Sequence, residues 1–346
     1  MRSIGRPRRA GDLPRRWLAC ACLLLGAVLP MSMQAAPQPN PQPANSQDRR
    51  IAITIDDLPW QRIGVTPAGA LQPRHRQLIE QLRKADAPII GFVNEGKLEV
   101  DGEVQPERLA MLRDWLEAGF ELGNHTYGHV DLHEVGIKEY EADIVRGERQ
   151  LRPLLAERGM VPRWFRHPYL RAGQTQDDKA VIGRFLGEHG YRVAPVTVDN
   201  GEWVWNFAYE NVLDGQADTP QRTATLARLR DGYIPYMLAK VDYYEGQSRA
   251  LLGYALPQVW LMHANTINAV AFADLVDGVR KRGYRTITLD EATKDPAYQR
   301  EDGYTGRYGP SWLHRWAMAE HKPNEFYAGE PQVPRWVLDL AGLESE

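Results

Sequence analysis

Hydrophobic and polar residues follow two regular patterns from Ile51 onward. Short apolar runs that are typical of buried strands occur at 51–55, 88–93, 120–123, 162–166, 191–198, 257–262 and 284–288. Between these runs the apolar positions recur with the period of a helix, at 71–84, 106–118, 137–157, 174–188 and 268–282. Gly119, Gly190 and Gly283 stand where three of these helices should end. The alternation of strands and helices predicts an α/β fold built on a parallel sheet.

The residues at the ends of the predicted strands distinguish a closed barrel from an open sheet. Five strands are each followed by side chains able to take part in chemistry: Asp56 with Asp57, His125, Arg166, Asp199 and His263. A parallel barrel gathers its active site from several strand ends, whereas an open sheet binds its ligand at the crevice where the strand order reverses. We therefore predict a distorted (β/α) barrel of about seven parallel strands.

Two segments depart from the strand–helix alternation. Residues 204–256 are largely helical, exceed ordinary loop length and are rich in tyrosine: Tyr209, Tyr233, Tyr236, Tyr243, Tyr244 and Tyr254. We expect them to form an insertion that covers one side of the site, within a catalytic barrel spanning 51–295. Residues 296–346, the C-terminal segment, are interpreted as a wrap on that barrel.

The first 36 residues have the pattern of an export signal. A basic leader with six arginines precedes the apolar stretch 18–33, and Ala35 and Ala36 offer small residues for a peptidase. The apolar stretch is short for a bilayer span, which favours cleavage over an uncleaved membrane anchor. A proline-rich linker follows at 37–50. We therefore expect an exported protein, periplasmic or secreted, without stable membrane insertion after cleavage.

The composition of the 346 residues is that of a globular protein, with 43% hydrophobic and 25% charged residues. Both cysteines, Cys20 and Cys22, fall inside the predicted signal, so the mature chain has no thiol or disulfide. Cleavage would remove six arginines and one aspartate and leave 36 basic against 44 acidic side chains, a net charge of −8. An acidic exported chain is a poor candidate for binding nucleic acid. The composition does not indicate an oligomeric state.

A divalent metal site is predicted by an aspartate pair and a histidine pair. Successive side chains on a strand face opposite ways, so Asp56 and Asp57 serve one site only if the backbone turns there. His125 and His129 are four residues apart, as on one side of a helical turn. One carboxylate and two imidazoles suit zinc first, with cobalt, nickel, manganese or iron as alternatives. Iron oxygenases use the same ligand set, but the spare aspartate and the strand–helix alternation favour hydrolysis.

Further residues at strand ends could assist such a hydrolysis. An ion pair of Arg166 with Asp199 would hold a basic Asp56 in place, because arginine binds carboxylates in a fixed fork. The backbone N–H of Tyr169 is a candidate donor to a developing oxyanion. His263 ends a buried strand, where it could protonate a leaving group.

Five ordered motifs in the chain resemble those of the polysaccharide deacetylases, the NodB-homology group or carbohydrate esterase family four. They are Thr54-Ile-Asp56-Asp57, His125-Thr-Tyr-Gly-His129, Arg166-His-Pro168-Tyr169, Asp199-Asn-Gly-Glu202-Trp203 and Leu261-Met-His263. The resemblance covers about residues 51–290. It implies a distorted (β/α) barrel and metal-dependent removal of acetyl groups from sugars.

The resemblance also implies a role for each matching residue. Asp56 is then the general base and His263 the general acid, while the Tyr169 N–H completes the oxyanion site. Asp57, His125 and His129 are the metal ligands. Arg166 and Asp199 are supports, and Trp203 and Leu261 line the groove for the acetyl group and the sugar.

Three residues depart from the pattern of the family. Ile55 stands where phenylalanine is usual, His167 where a second proline is common, and Glu202 where an aspartate is expected. Glu202 changes any contact that needs the shorter carboxylate of aspartate. Because the insertion 204–256 is unlike the plainest members, the resemblance does not extend to substrate preference.

The sequence therefore predicts an exported, metal-dependent deacetylase that hydrolyses N-acetyl groups of amino-sugar glycans or oligosaccharides. Its expected partner is an acetylated carbohydrate, and its expected cofactor is Zn²⁺ or, alternatively, Co²⁺, Ni²⁺ or Mn²⁺. An O-acetyl esterase acting on xylan or another acetylated polysaccharide is the nearest alternative. A glycan-binding protein without catalysis is an alternative of another class, although such a protein needs neither Asp56 nor His263. An iron oxygenase would depend on an oxo-acid cosubstrate.

Overall fold

A computed structural model describes residues 48–67 and 69–346. The predicted signal (1–36) and most of the predicted linker (37–50) lie outside the described residues. Within them the strands are β1 (Arg49–Leu58), β2 (Ile89–Val93), β3 (Glu99–Val100), β4 (Glu103–Val104), β5 (Glu121–Asn124), β6 (Trp164–Phe165), β7 (Arg192–Val193), β8 (Gln258–His263) and β9 (Tyr284–Ile287).

The α-helices of the same residues are α1 (Leu71–Ala85), α2 (Pro106–Glu117), α3 (Leu132–Val135), α4 (Ile137–Arg146), α5 (Leu151–Ala156), α6 (Gln176–Glu188), α7 (Glu202–Gly215), α8 (Pro220–Leu252), α9 (Asn268–Lys281), α10 (Leu289–Ala292), α11 (Trp312–Ala319) and α12 (Arg335–Ala341). Short 3₁₀ helices occur at Glu95–Leu98, Pro168–Leu170, Pro296–Gln299 and Asn324–Tyr327. No helix among the described residues has both the length and the apolar character needed to span a membrane.

Seven strands form one sheet in which every pairing is parallel. The strand order is β7-β6-β5-β2-β1-β8, and β9 pairs with the first residues of β1. β1 pairs with three strands, β2, β8 and β9, and its last eight residues, 51–58, are buried. The predicted parallel α/β architecture is confirmed by this topology.

The residues after β7 join the two sides of the curled sheet. The Ala194 N–H donates to Phe165 O of β6 at 2.8 Å, whereas the Val198 N–H donates to Val259 O of β8 at 3.0 Å. The sequence analysis predicted one strand over 191–198. The structure divides it, because Pro195 has no N–H to offer and the chain crosses from one neighbour to the other at this point.

The single helix predicted over 137–157 is two helices, α4 and α5. Gly147 ends the first, and a Cβ at this position would lie 2.9 Å from the Thr126 carbonyl carbon, so the backbones pack closely. The buried Glu95 carboxylate begins the second helix by accepting the N–H groups of Gln150 and Leu151. This break brings α4 against the loop that carries His125 and His129.

The predicted insertion forms α8 and most of α7, and the C-terminal segment packs on them through α11 and α12. The tyrosines of the insertion serve this packing. Tyr233 and Tyr244 are buried and donate to Asn268 and Glu330, and Tyr236 donates to Glu346. The six tyrosines therefore act mainly as contacts between helices, and none of them lines the cavity at the strand ends.

Candidate active site

Both aspartates of the first motif face one cavity because the backbone turns at the end of β1. Asp57 has φ 70°, a left-handed conformation that non-glycine residues rarely adopt. The pairing of β1 with β2 is irregular between Ile55 and Leu58, which is where the turn lies. Asp56 and Asp57 are both buried, and both line the cavity.

The second motif forms a loop rather than the helical turn that its spacing suggested. Thr126 and His129 have φ 65° and 53°, so the loop curls back and brings the rings of His125 and His129 to a centroid distance of 4.9 Å. Asp143 of α4 secures the curl, since its side chain accepts the Gly128 N–H at 2.8 Å. Hydrogen bonds of the loop, and not a helical turn, therefore bring the two rings together.

Asp57, His125 and His129 together have the donors of a metal site. One ligand atom from each lies within 4.8 Å of the other two. His125 donates its Nδ1–H to Arg166 O at 2.8 Å, which leaves Nε2 for the cavity. Burial holds the pKa of His125 well below its ordinary value and also lowers that of His129, so both rings are neutral, as ligands must be. The donor set fits zinc or a similar divalent ion.

Asp56 has the environment of a base held beside that site. Its Oδ2 accepts from Arg166 at 3.3 Å, whereas its buried Oδ1 has no hydrogen-bond partner among the described residues. Burial raises the pKa of Asp56 to about 6, although Arg166 and His263 oppose the rise. Arg166 also donates to Thr54 Oγ1 at 2.9 Å and is completely buried. Arg166 is therefore a buried partner of Asp56 and is not among the residues that line the cavity.

Asp199 lines the cavity, but its surroundings differ from those expected. No ion pair joins it to Arg166 in the part of the chain that the structure describes, where Arg166 is engaged with Asp56 and Thr54. Burial raises the pKa of Asp199 to about 6, and Lys240 is the strongest charge opposing that rise. Asp199 acts on Arg166 only through its charge at longer range.

His263 forms a close pair with Glu202, a residue that the sequence analysis treated only as a departure from the family. The Nδ1 atom of His263 lies 2.6 Å from Glu202 Oε2, and Asn265 and Asn268 each donate to the other carboxylate oxygen at 2.6 Å. Burial disfavours the charged ring, but Glu202 and the two aspartates outweigh it and raise the pKa of His263 to about 9. His263 is therefore protonated at neutral pH.

Lys97 is a second site residue that the sequence did not indicate. Its Nζ donates to Asp57 Oδ1 at 2.9 Å and to Gln61 O at 3.3 Å. Burial alone would raise the pKa of Asp57, but Lys97 and then His129 outweigh it and hold that pKa far below its usual range. Lys97 follows the carboxyl end of β2, so a search for polar residues after every predicted strand would have found it.

The cavity has a volume of about 530 Å³ and aromatic walls. One wall comes from the start of α7, where Trp203 packs edge-on against Phe207 at a centroid distance of 5.4 Å. The lining also includes Tyr169 and, from the C-terminal segment, Tyr308, which are 53% and 68% exposed. Leu261 is 7% exposed and lines the interior. The arrangement suits a ligand with apolar ring faces and polar edges.

Comparison with known proteins shows a family resemblance over part of the chain. Residues 44–193 match the family model described as polysaccharide deacetylase. Among curated proteins there is no significant match.

Several solved structures resemble this one at low identity. A family 4 carbohydrate esterase from Streptomyces lividans in complex with acetate is 17% identical, with 70% of this chain and 95% of that chain covered and a TM-score of 0.42. The peptidoglycan deacetylase PdaC from Bacillus subtilis is 18% identical, with coverages of 74% and 96% and a TM-score of 0.43. A CE4 family pseudoenzyme from Bacillus anthracis is 16% identical, with coverages of 72% and 66% and a TM-score of 0.46.

The family match ends after β7, within the barrel. It includes the first three motifs, whereas Glu202, His263 and the C-terminal segment lie beyond it. The match is therefore a resemblance of residues 44–193 to the polysaccharide deacetylases.

Proposed function

We propose that this protein is an exported, metal-dependent carbohydrate deacetylase that hydrolyses N-acetyl groups of amino sugars. One observation carries the proposal: three metal-ligand side chains, Asp57, His125 and His129, lie beside a second buried carboxylate in the same cavity. A metal-assisted hydrolase needs both a metal site and a base, and the aspartate pair supplies the carboxylate for each.

The residues around the cavity divide the reaction between them. A divalent ion held by Asp57, His125 and His129 would polarise the acetyl carbonyl and increase the acidity of water. Asp56 takes a proton from the attacking water, and its Oδ1 has no hydrogen-bond partner among the described residues. The Tyr169 N–H donates to the oxyanion that forms on the carbonyl oxygen.

His263 completes the reaction by donating a proton to the leaving nitrogen as the carbon–nitrogen bond breaks. The products are acetate and a free amine. An amine leaves poorly without a proton, so the reaction requires an acid that is charged at the working pH. The Glu202 carboxylate, 2.6 Å from the ring, keeps His263 in that state.

The protonation of His263 separates the proposal from its nearest alternative, the O-acetyl esterase. An O-acetyl esterase would use the same residues but expels an alcohol, which needs a proton from the enzyme less than an amine does. A histidine that is protonated at neutral pH supplies the proton that the amine requires. A binding protein without catalysis remains the alternative of another class, and one of the similar structures is a pseudoenzyme. Asp56 and His263 favour catalysis, because binding requires neither.

The test is acetate release by the zinc-loaded protein from two matched substrates, an N-acetylated chitooligosaccharide and an O-acetylated xylooligosaccharide, followed by mass spectrometry. We expect release from the N-acetylated substrate that disappears in the chelated protein and in Asp56→Asn. Release from the xylooligosaccharide alone would identify an esterase. Failure to release acetate from either, with stoichiometric zinc present, would contradict the proposed function. Turnover that requires an oxo acid and iron would indicate an oxygenase.

A further inference from the structure

The turn that carries the Tyr169 amide has an unusual backbone. Tyr169 and Leu170 have φ 55° and 54°, two successive non-glycine residues in the left-handed region. Such conformations persist only where neighbouring structure holds them, and they concentrate at functional sites. Among the backbone hydrogen bonds of the described residues, none uses the Tyr169 N–H as donor. The amide is therefore free to meet a ligand. Hydrogen bonds from the Leu170 N–H to His167 O at 3.0 Å and from the Arg171 N–H to Pro168 O at 3.1 Å hold the shape of the turn, but its position depends on contacts with other segments.

Arg315 of α11 connects this turn to the C-terminal segment. Its guanidinium donates to Leu170 O, to Pro310 O at 2.9 Å and to Asp302 Oδ2 at 2.8 Å. Arg315 is 1% exposed and stacks over the Trp312 ring, with 4.3 Å from Cζ to the ring centroid. A planar guanidinium with all of these donors engaged has little freedom to move. One side chain thus holds the turn and the loop 302–310 in a fixed relation.

Gly309 places that loop directly against the turn. A Cβ added to Gly309 would lie 1.8 Å from Tyr169 O and 2.8 Å from the Leu170 carbonyl carbon. Gly309 is not among the residues with positive φ, so its backbone conformation is one that alanine also adopts. The glycine is therefore required by the close approach to Tyr169 rather than by its own conformation.

We propose that Gly309 and Arg315 are positioning residues for the Tyr169 amide, and that the C-terminal segment is in this way part of the catalytic apparatus. The inference rests on the proposed deacetylase function. The segment lies outside the family match at 44–193. Its contacts aim the amide donor at the oxyanion, and small errors in the direction of such a donor reduce turnover more than substrate binding.

The first test compares Gly309→Ala with Gly64→Ala, a loop glycine whose added Cβ meets nothing within 4 Å. In Gly309→Ala the added Cβ must displace the turn, so we expect the melting temperature to fall and kcat of the folded protein to fall at least ~tenfold, with its KM and zinc content close to those of the wild type. The affinity for a methylphosphonate analogue of the tetrahedral intermediate should fall by the same factor as kcat/KM. Gly64→Ala should leave all of these unchanged. Loss of activity that only follows loss of folded protein would assign Gly309 a structural role and overturn the inference.

The second test uses Arg315, in case the glycine variant folds poorly. Arg315→Met removes the donors, whereas Arg315→Lys keeps the charge but not the planar fork. We expect both to lower kcat and the affinity for the phosphonate, with partial recovery in the lysine variant. Wild-type kcat and phosphonate affinity in both would overturn the inference while leaving the proposed function intact. A wild type that releases no acetate would instead overturn the proposed function and this inference with it.

Discussion

The ammonium group of Lys97 lies 2.9 Å from Oδ1 of Asp57, the oxygen that also lies nearest to His129 Nε2, at 3.6 Å. Lys97 and a divalent ion in the site would therefore compete for the carboxylate of Asp57. Lys97 is mostly buried, with a side chain 19% exposed, so its attraction to Asp57 is only partly screened by solvent. The positive charge of Lys97 therefore opposes the binding of a divalent ion at the Asp57 carboxylate.

The first prediction follows from this competition. Lys97→Met keeps the length of the side chain but removes the charge, so it should raise the affinity for zinc by about tenfold, or ~1.4 kcal/mol. Competition with a chromophoric chelator measures the dissociation constant directly, without any turnover. Lys97→Arg is the control and should remain close to the wild type. A weaker affinity in Lys97→Met would mean that the lysine orients Asp57 for the metal.

A second prediction concerns the ligands themselves. Asp57→Ala and His125→Ala should each abolish stoichiometric metal binding and activity, because two remaining ligands are too few to hold the ion. His133→Ala is the matched control, since that ring lies 3.2 Å from Arg307 O through Nδ1 and is engaged outside the metal cluster. Elemental analysis after dialysis gives the zinc content. A ligand variant that kept one equivalent of zinc would remove that residue from the site.

A third prediction distinguishes the roles of Asp56 and Asp57. Asp56→Asn keeps the shape of the side chain but cannot accept a proton, so zinc should remain bound while kcat falls by roughly 10²–10⁴-fold, as for a lost general base. Steady-state kinetics beside elemental analysis provides the measurement. If zinc were lost, with turnover in proportion to occupancy, the roles of Asp56 and Asp57 would have to be exchanged.

A fourth prediction uses the pairing of His263 with Glu202. An acid works only while protonated, and the protonated fraction of His263 falls as pH rises through its pKa of about 9. Removing the Glu202 charge lowers that pKa. In Glu202→Gln the alkaline limb of kcat/KM should therefore move to lower pH, with zinc content unchanged. Glu210→Gln is the control, because this buried residue of α7 contacts Thr266 and Arg62 rather than His263. Equal shifts in both variants would show a general electrostatic effect.

The sequence predicted the parallel fold, and the strand-end residues Asp56, His125 and His263 line one cavity, for a physical reason. A polar residue that follows a buried apolar run is conspicuous, and parallel strands bring such ends together, so Asp56, His125 and His263 could be placed without coordinates. Their local geometry could not be predicted. The turn at Asp57 and the curl before His129 depend on left-handed residues and on contacts with α4, which the pattern of side chains does not encode.

The sequence also could not indicate the parts of the site that depend on packing between distant segments. Helical periodicity shows that the insertion is amphipathic. It does not show whether the rings of its tyrosines contact a ligand or another helix. Glu202 and His263 are 61 residues apart, and Arg315 lies 145 residues from Leu170. Such contacts exist only once the barrel is closed and the C-terminal segment lies on it.

The last prediction concerns the length of the substrate. Trp203, Phe207 and Tyr308 all line the cavity, and bulky side chains of this kind limit the length of substrate that a site accepts. We therefore expect higher turnover on short acetylated oligosaccharides or chain ends than on long insoluble polymer. Tyr308, 68% exposed at the rim, offers a ring face for a sugar.

In Tyr308→Ala the KM for an oligosaccharide should rise roughly 2- to 12-fold, the equivalent of the ~0.5–1.5 kcal/mol typical of an aromatic contact, with kcat unchanged. Tyr308→Phe keeps the ring and should behave as the wild type. Turnover on acetylated oligomers of increasing length completes the experiment. Rates that continued to rise with length and were highest on polymer would show that the walls do not close the groove, and an unchanged KM in Tyr308→Ala would place the sugar elsewhere in the cavity.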